Sequence, residues 1–318
     1  MIAVGGTTGG GVCGAGQPAG ASTSLGSSRN LLFRSDLFGI GTTRCCPSHA
    51  GLTPERALAG PTFSLARRGV FVVHSEGREA QIDPSTAVFH NPAETFRASH
   101  PASIGDECTW FAPSERAVRD ALRVLNLDAA DDVRPFRHLT APVSRDAFTL
   151  HVELFKHLTA GSPDPLFVDE TACCLLHELM RSAAALYSRG RRPRMRDDTC
   201  RAHAGLAEAA RAVLATRFDQ RITIDDVAAA VHSSPFNLCR IFRAHTGLSI
   251  HAYLTDLRVR EAVHRLIEGD TDLAELARRV GFASHSHMCD AFRRVLGRSP
   301  TAAARGPAVR GSAPLDTP

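Results

Sequence analysis

Between Ile222 and Ala304 the order of apolar and polar positions runs through one cycle twice. Val227-Ala228 is followed by Leu238 and Ile241-Phe242; fifty residues on, Leu276-Ala277 is followed by Met288 and Ala291-Phe292. The offset is 49 residues before the turn and 50 after it, so the second turn holds one extra residue. Such a repeat marks a duplicated supersecondary unit and outranks other sequence signals. Apolar positions three and four apart predict helices over 203–218, 225–231, 235–245, 250–268 and 284–296. Thr223 with Asp226, and Asp272 with Glu275, approximate capping boxes before the two copies. Ser234 caps the next helix, Pro235 fills its first turn, and Gly247 ends it. Each copy is therefore a helix-turn-helix, and the 250–268 helix is a rigid spacer that would let both recognition helices enter successive grooves, about 34 Å apart.

Before residue 200 the pattern is different. Short apolar runs at 70–74, 86–90 and 108–111 predict strands, separated by turn signals such as Asp83-Pro84 and Asn91-Pro92. They suggest a small antiparallel barrel or sandwich. After Pro113 the period lengthens, predicting helices over 115–125 (capped by Ser114), 145–159 and 166–187. The stripes on the last two suit a core, or else a dimer seam. The expected class is α+β: an N-terminal antiparallel β-barrel with flanking helices, then an all-α domain with two helix-turn-helix motifs joined by a long helix. The boundaries fall at 1–28 (disordered tail), 30–188 (strand-rich domain with C-terminal helices), 189–200 (basic linker), 201–304 (double helix-turn-helix domain) and 305–318 (disordered tail).

Composition sharpens this division. A chain of 318 residues can bury two cores. From Cys200 onward there are sixteen arginines and no lysine against twelve acids, whereas the first 199 residues hold twenty-one charges of each sign. The whole excess of +4 thus lies with the repeat, as a DNA-facing domain requires. Nine scattered cysteines without CxxC spacing favour free thiols in a reducing compartment. No run approaches eighteen uncharged apolar residues, so no membrane span is expected, and 1–28 lacks the basic start of a signal peptide.

If the helices pack as helix-turn-helix units, Phe236, Asn237, Arg240 and Arg243 face outward from the first and His285, Ser286, Cys289, Asp290 and Arg293 from the second. Arg240 is the first choice for a guanine edge, Asn237 suits either a base or a phosphate, and Phe236 suits a thymine methyl or sugar. Arg243, Arg293 and Arg294 are assigned to phosphates. Asp290 would be repelled by phosphate, yet it suits cytosine N4 or can hold Arg293 in place. The first helix should therefore read more tightly than the second. Arg258, Arg260 and Arg265 on the spacer are expected to be solvated. No HExxH, Walker, GxSxG or dinucleotide fingerprint is present. His74, Glu76 and His90 lie on or near strands of a kind of barrel that can hold metals, whereas His151, Glu153 and His157, at i, i+2 and i+6, do not share one helix face. Cys173, Cys174 and His177 can meet on one helix face, but adjacent small cysteines are more often buried packing residues. No metal, cofactor or catalytic residue is expected.

The Gly281-Phe282 turn, the Phe292-Arg293-Arg294 run and the closing Gly297-Arg298-Ser299-Pro300 resemble the DNA-binding domain of the AraC/XylS family of bacterial transcription regulators. That resemblance implies a cytoplasmic, non-enzymatic regulator of transcription acting on double-stranded DNA and RNA polymerase. It places the base-reading positions on Phe236, Cys239 and Arg240, and on His285, Ser286, Cys289 and Asp290. Relatives often carry a basic residue where Asp290 stands and a glycine where His232 stands; a right-handed residue is expected to serve at the latter. Phe89-His90-Asn91-Pro92, Gly105-Asp106 and Cys108-Thr109-Trp110-Phe111 resemble the cupin-like sensor domain of such regulators. This implies a small-molecule effector, with His74, Arg97 and Trp110 as candidate pocket residues, and a possible homodimer. The competing readings are a cupin-type metal-dependent enzyme with a DNA-binding appendage and an architectural binder that needs no ligand.

Overall fold

The computed structural model describes residues 26–46, 51–100, 105–125, 134–161, 163–188 and 197–305. Residues 1–25 and 306–318 of the expected tails and most of the expected linker lie outside the described residues, while 26–28 belong to a strand. The strands form two antiparallel sheets. The first has the order β1 (Gly26–Arg34), β2 (Phe38–Cys46), β9 (Asp106–Pro113), β4 (Thr62–Arg68), β7 (Thr86–His90) and β10 (Thr140–Pro142). The second has the order β3 (Arg56–Ala57), β8 (Thr95–Ser99), β5 (Phe71–Ser75) and β6 (Arg78–Ile82).

Neither sheet closes on itself, which overturns the expected cupin-like barrel. A barrel abolishes its edges by pairing them, whereas here the outer strands of the larger sheet are covered by helices instead. The helix α2 (Arg145–Thr159) packs beside β1, and α3 (Pro165–Ser188) beside β10. Alternation along the strands sends side chains to two cores. From β7, Ala87 and Phe89 join Phe63 and Phe111 under the helices, while Val88 joins Val73, Ile82 and Cys108 between the sheets. All five β7 residues are therefore buried. In the helix-side core Phe63 stacks on Phe111 with ring centres 4.6 Å apart.

The helix α1 (Glu115–Val124) starts at Ser114, whose side chain accepts from the Ala117 N–H as the sequence suggested. The stripes of α2 and α3 lie in the core, with Val168, Ala172, Leu175, Leu176 and Leu179 all buried. The helix α4 (Asp197–Thr216) begins the C-terminal half. It is followed by α5 (Ile224–Ala230), α6 (Pro235–Thr246), α7 (Ile250–Ile267), α8 (Leu273–Arg279), α9 (His285–Leu296) and α10 (Pro300–Arg305).

The spacer helix α7 is buried on nearly every side, from Tyr253 through His264. This corrects the expectation of solvated arginines. Arg260 is 4% exposed and donates to the Pro84 and Val143 carbonyls at 3.0 and 2.8 Å, with Phe148 beneath it at 4.5 Å. Arg258 donates to the Phe218 and Gln220 carbonyls, and Arg265 pairs with Glu261 at 2.6 Å. From the sheet side, Arg68 reaches Glu261 at 3.2 Å and Glu268 at 2.8 Å. Arg260 and Arg68 thus join the spacer to the N-terminal half, while Arg258 ties it to the loop after α4 and Arg265 pairs within the spacer.

Candidate nucleic-acid interface

The two motifs superpose in sequence as the repeat required. The helices α5 and α8 are seven residues each, and α6 and α9 twelve each. Thr223 and Asp226 complete a reciprocal capping box, whereas Asp272 accepts from the Ala274 and Glu275 N–H groups. Ser234 and Ser284 cap the recognition helices, accepting from the Asn237 and His287 N–H groups. Leu238, Ile241 and Phe242 are buried on α6, matched by Met288, Ala291 and Phe292 on α9. With the apolar face committed inward, the polar face of each recognition helix is left outside.

The extra residue sits in the second turn. There Gly281 adopts φ +85°, and a Cβ on it would come within 2.9 Å of the Phe218 and Asp219 carbonyls. In the first turn His232 adopts φ +51°, which corrects the expectation of a right-handed residue. A side chain in this region costs about 1 kcal/mol relative to glycine. His232→Gly should accordingly leave unfolding free energy unchanged or raise it by up to about 1 kcal/mol. Urea titration checks this, and a clear loss of stability would mean that the imidazole has a structural partner.

On α6, Phe236 is 82% exposed, Cys239, Arg240 and Arg243 are exposed, and Asn237 is half-buried. Arg240 Nη2 donates to Asn237 Oδ1 at 3.0 Å, and Asn237 Nδ2 to Ser233 Oγ at 3.3 Å. The guanidinium is thus oriented along the helix surface before any DNA arrives. On α9, His285, Ser286, Asp290, Arg293 and Arg294 are exposed and Cys289 is half-buried. Arg293 donates to Asp290 at 3.0 Å, and His285 Nε2 lies 3.3 Å from Cys289 Sγ. The Asp290–Arg293 pair neutralises part of this surface, in contrast to α6.

Two of the three candidate effector residues meet, and the third does not. His74 and Arg97 are paired positions on β5 and β8, and both line a cleft of about 230 Å³ with Glu55, Glu76, Arg78 and Glu79. His74 is held by Glu79 at 2.9 Å and Ser99 at 2.8 Å. Trp110 lies on the other sheet, donates to the Thr42 carbonyl and carries Arg29 over its ring at 4.3 Å. Of the candidate ligand sets, His90 is buried against Phe96, His151 is packed near His264, and Cys173 and Cys174 are exposed, which corrects the expected packing role. Among the described residues, the side chains that do converge with metal-ligand spacing are Cys45, His100 and Asp106, none of them anticipated.

The interface is backed by a charge network that local pattern could not reveal. Asp83, fully buried between β6 and β7, accepts from Arg211 of α4 at 2.9 Å and from the Tyr253 hydroxyl of α7. Ser85 adds N–H and hydroxyl bonds of 2.8 and 2.6 Å. Burial alone would raise the Asp83 carboxyl, but Arg211 and the bonds from Ser85 and Tyr253 outweigh it and hold it below the usual range. Tyr253 in turn packs edge-on against Phe242 of the first recognition helix at 5.4 Å.

Residues 227–306 match the family model described as a helix-turn-helix domain. The chain is 30% identical over 81 residues to the regulatory protein PocR of Salmonella typhimurium, which is 26% of this chain and 27% of that protein. It is 34% identical over 87 residues to the transcriptional activator RhaS of Salmonella arizonae, 27% of this chain and 31% of that protein. It is 38% identical over 78 residues to a Streptomyces lividans protein named as AraC-like, 24% of this chain and 26% of that protein. The family-model match falls in the C-terminal half of the chain, and one of the relatives is named as AraC-like. Among solved structures, the chain is similar to the DNA-binding domain of AdpA in complex with a target DNA (32% identity, 31% of this chain and 89% of that chain, TM-score 0.30). ToxT from Vibrio cholerae O395 is 10% identical over 84% of this chain and 96% of that chain, with a TM-score of 0.33. The chain spans between 26% and 31% of the length of the three curated relatives. No helix among the described residues is long and apolar enough to cross a membrane.

Proposed function

We propose that the chain is a sequence-specific, double-stranded-DNA-binding regulator of transcription in the bacterial cytoplasm. The observation that carries this reading is the duplicated helix-turn-helix, whose buried faces leave Phe236, Asn237, Cys239 and Arg240 outward on α6. A major groove admits one such helix and presents guanine O6 and N7 to an arginine fork. Arg240 reads a guanine, Arg243 holds a phosphate, and Phe236 covers a thymine methyl or sugar. The second helix contributes less: Asp290 engages Arg293, so His285, Ser286 and Cys289 position α9 while Arg294 meets a phosphate.

RNA polymerase is the partner through which such a regulator acts. Control by a small polar effector is supported by the cleft around His74 and Arg97, although its volume is below the roughly 300–1,000 Å³ of drug-sized pockets. A homodimer would use apolar surface that folding leaves uncovered, such as Val124 of α1 and Leu166 of α3, 69% and 76% exposed.

Genome-wide footprinting of bound fragments, wild type against Arg240→Ala, tests the reading. A recurrent site is expected, weakened in the variant at one position by about 1–3 kcal/mol. Unchanged preference removes Arg240 from base reading. Equal affinity for unrelated duplexes at matched salt would instead indicate an architectural binder.

A further inference from the structure

The pairing of β2 with β9 sets Cys45 opposite Asp106, and the end of β8 delivers His100 to the same point. Cys45 Sγ, an imidazole nitrogen of His100 and a carboxylate oxygen of Asp106 all lie within 4.8 Å of one another, and the three residues are 9%, 2% and 6% exposed. Cys108, also buried, brings its Sγ to 3.2 Å from Asp106 Oδ2. A thiol, an imidazole and a carboxyl group therefore converge in one dry pocket between the sheets, with the Cys108 thiol against the other carboxylate oxygen.

The pocket is built closely. A Cβ at Gly105 would fall 2.4 Å from the Cys45 carbonyl oxygen, so glycine there allows the chain before β9 to close over Cys45. His100 Nε2 is 2.5 Å from Asp106 Oδ1, but its Nδ1, wholly buried, has no hydrogen-bond partner among the described residues. A buried polar nitrogen left unpaired is costly, and the great majority of such groups are satisfied. Packing alone gives no reason to collect a thiol, an imidazole and a carboxyl group within 4.8 Å of one another. A shared cation does.

We infer that Cys45, His100 and Asp106 form a binding site for a thiophilic divalent cation, zinc being the ion that this donor set fits. One sulfur, one imidazole nitrogen and one carboxylate oxygen suit tetrahedral zinc and disfavour calcium or magnesium, which take oxygen ligands. With zinc bonds of about 2.0–2.1 Å to nitrogen and oxygen, tetrahedral angles place those two donors about 3.3 Å apart. The His100–Asp106 pair thus opens by under 1 Å on binding. Cys45 binds as a thiolate, releasing its proton to solvent. The thiolate and the carboxylate together neutralise the ion, and the three donors tie β2, the end of β8 and β9 together, leaving its fourth position to an exchangeable ligand.

The test uses the full-length protein. After equilibrium dialysis against zinc, elemental analysis should find one tightly held ion per chain. Cys45→Ser and His100→Gln should each weaken retention at least tenfold, and the exposed neighbour Cys46→Ser should not. Because a core variant can fail to fold, cobalt loading of the unmodified chain provides an independent reading: a thiolate-to-cobalt charge-transfer band with tetrahedral d–d absorption is expected. Absence of that band overturns the proposal. So does zinc that survives Cys45→Ser in a folded protein, or that is lost on Cys289→Ser at the exposed His285–Cys289 pair.

Discussion

Asp83→Ala should destabilise the folded chain by about 3 kcal/mol or more, one of the two largest effects expected of any change described here. The magnitude follows from what stays behind. Arg211, 8% exposed, would lose its buried carboxylate, and Tyr253 would lose its acceptor. Glu208 still faces Arg211 Nη1 at 2.9 Å, which places the effect at the low end of the roughly 3–5 kcal/mol measured for broken buried pairs. Replacing both partners with apolar residues, Asp83→Leu with Arg211→Met, should recover most of the loss because no stranded charge remains. Urea unfolding of the two variants and the double variant distinguishes these cases. A single-variant loss below about 1 kcal/mol would show that solvent reaches the network.

Acidification should unfold the protein well before its carboxylates protonate. Burial, reinforced by Arg67 and Arg260, pushes His151 down to about 3. Burial, followed by His151, Arg67, Arg68 and Arg260, places His264 well below the usual histidine range. Burial pushes His90 down to about 4 against a small opposing pull from Glu94. In each case the unfolded state takes up a proton near pH 6.5 and the folded state does not. Stability is therefore complete above that pH and falls as pH drops toward the folded values, by about 1.4 kcal/mol per unit for each histidine. Between pH 7 and 5.5 the three together cost on the order of 3–4 kcal/mol. Urea midpoints measured across this range check the sign and slope. A flat profile down to pH 5 would mean that these rings are protonated or hydrated in the native state. Because His151 is on α2 and His264 on α7, with ring centres 6.2 Å apart, the first place to open should be where the N-terminal half meets the spacer.

Much of the C-terminal half was legible because its information is local. Caps, periodicity and turn glycines lie within a few residues of the structure they specify; the same local signal gives α2 of the N-terminal half its expected 145–159 bounds. The outward placement of Phe236 and Arg240 followed from the same periodicity. The N-terminal half was harder. Polar β1 and the short β3, β6 and β8 carry no strong alternation, and closure into a barrel depends on edges far apart in the chain. Nothing near Arg211 or Arg260 distinguishes a buried guanidinium from a solvated one; only long-range packing does. Cys45 and Asp106 are adjacent through strand register alone, so the cation site had no sequence signature.

The continuous core has a consequence for how the molecule can be taken apart. Leu276, Val280, Phe282, Met288 and Phe292 of the second motif share one apolar cluster with Phe148, Val152 and Leu179 of the N-terminal half, whereas the first motif clusters mainly with α4, with Val70 the buried contact from the N-terminal half. The natural seam thus runs through the spacer helix, not along the stretch between residues 189 and 196. Scissors applied at that stretch would release a fragment whose leading reader keeps its own padding and whose trailing reader has an oily flank stripped bare, inviting clumping rather than clean binding.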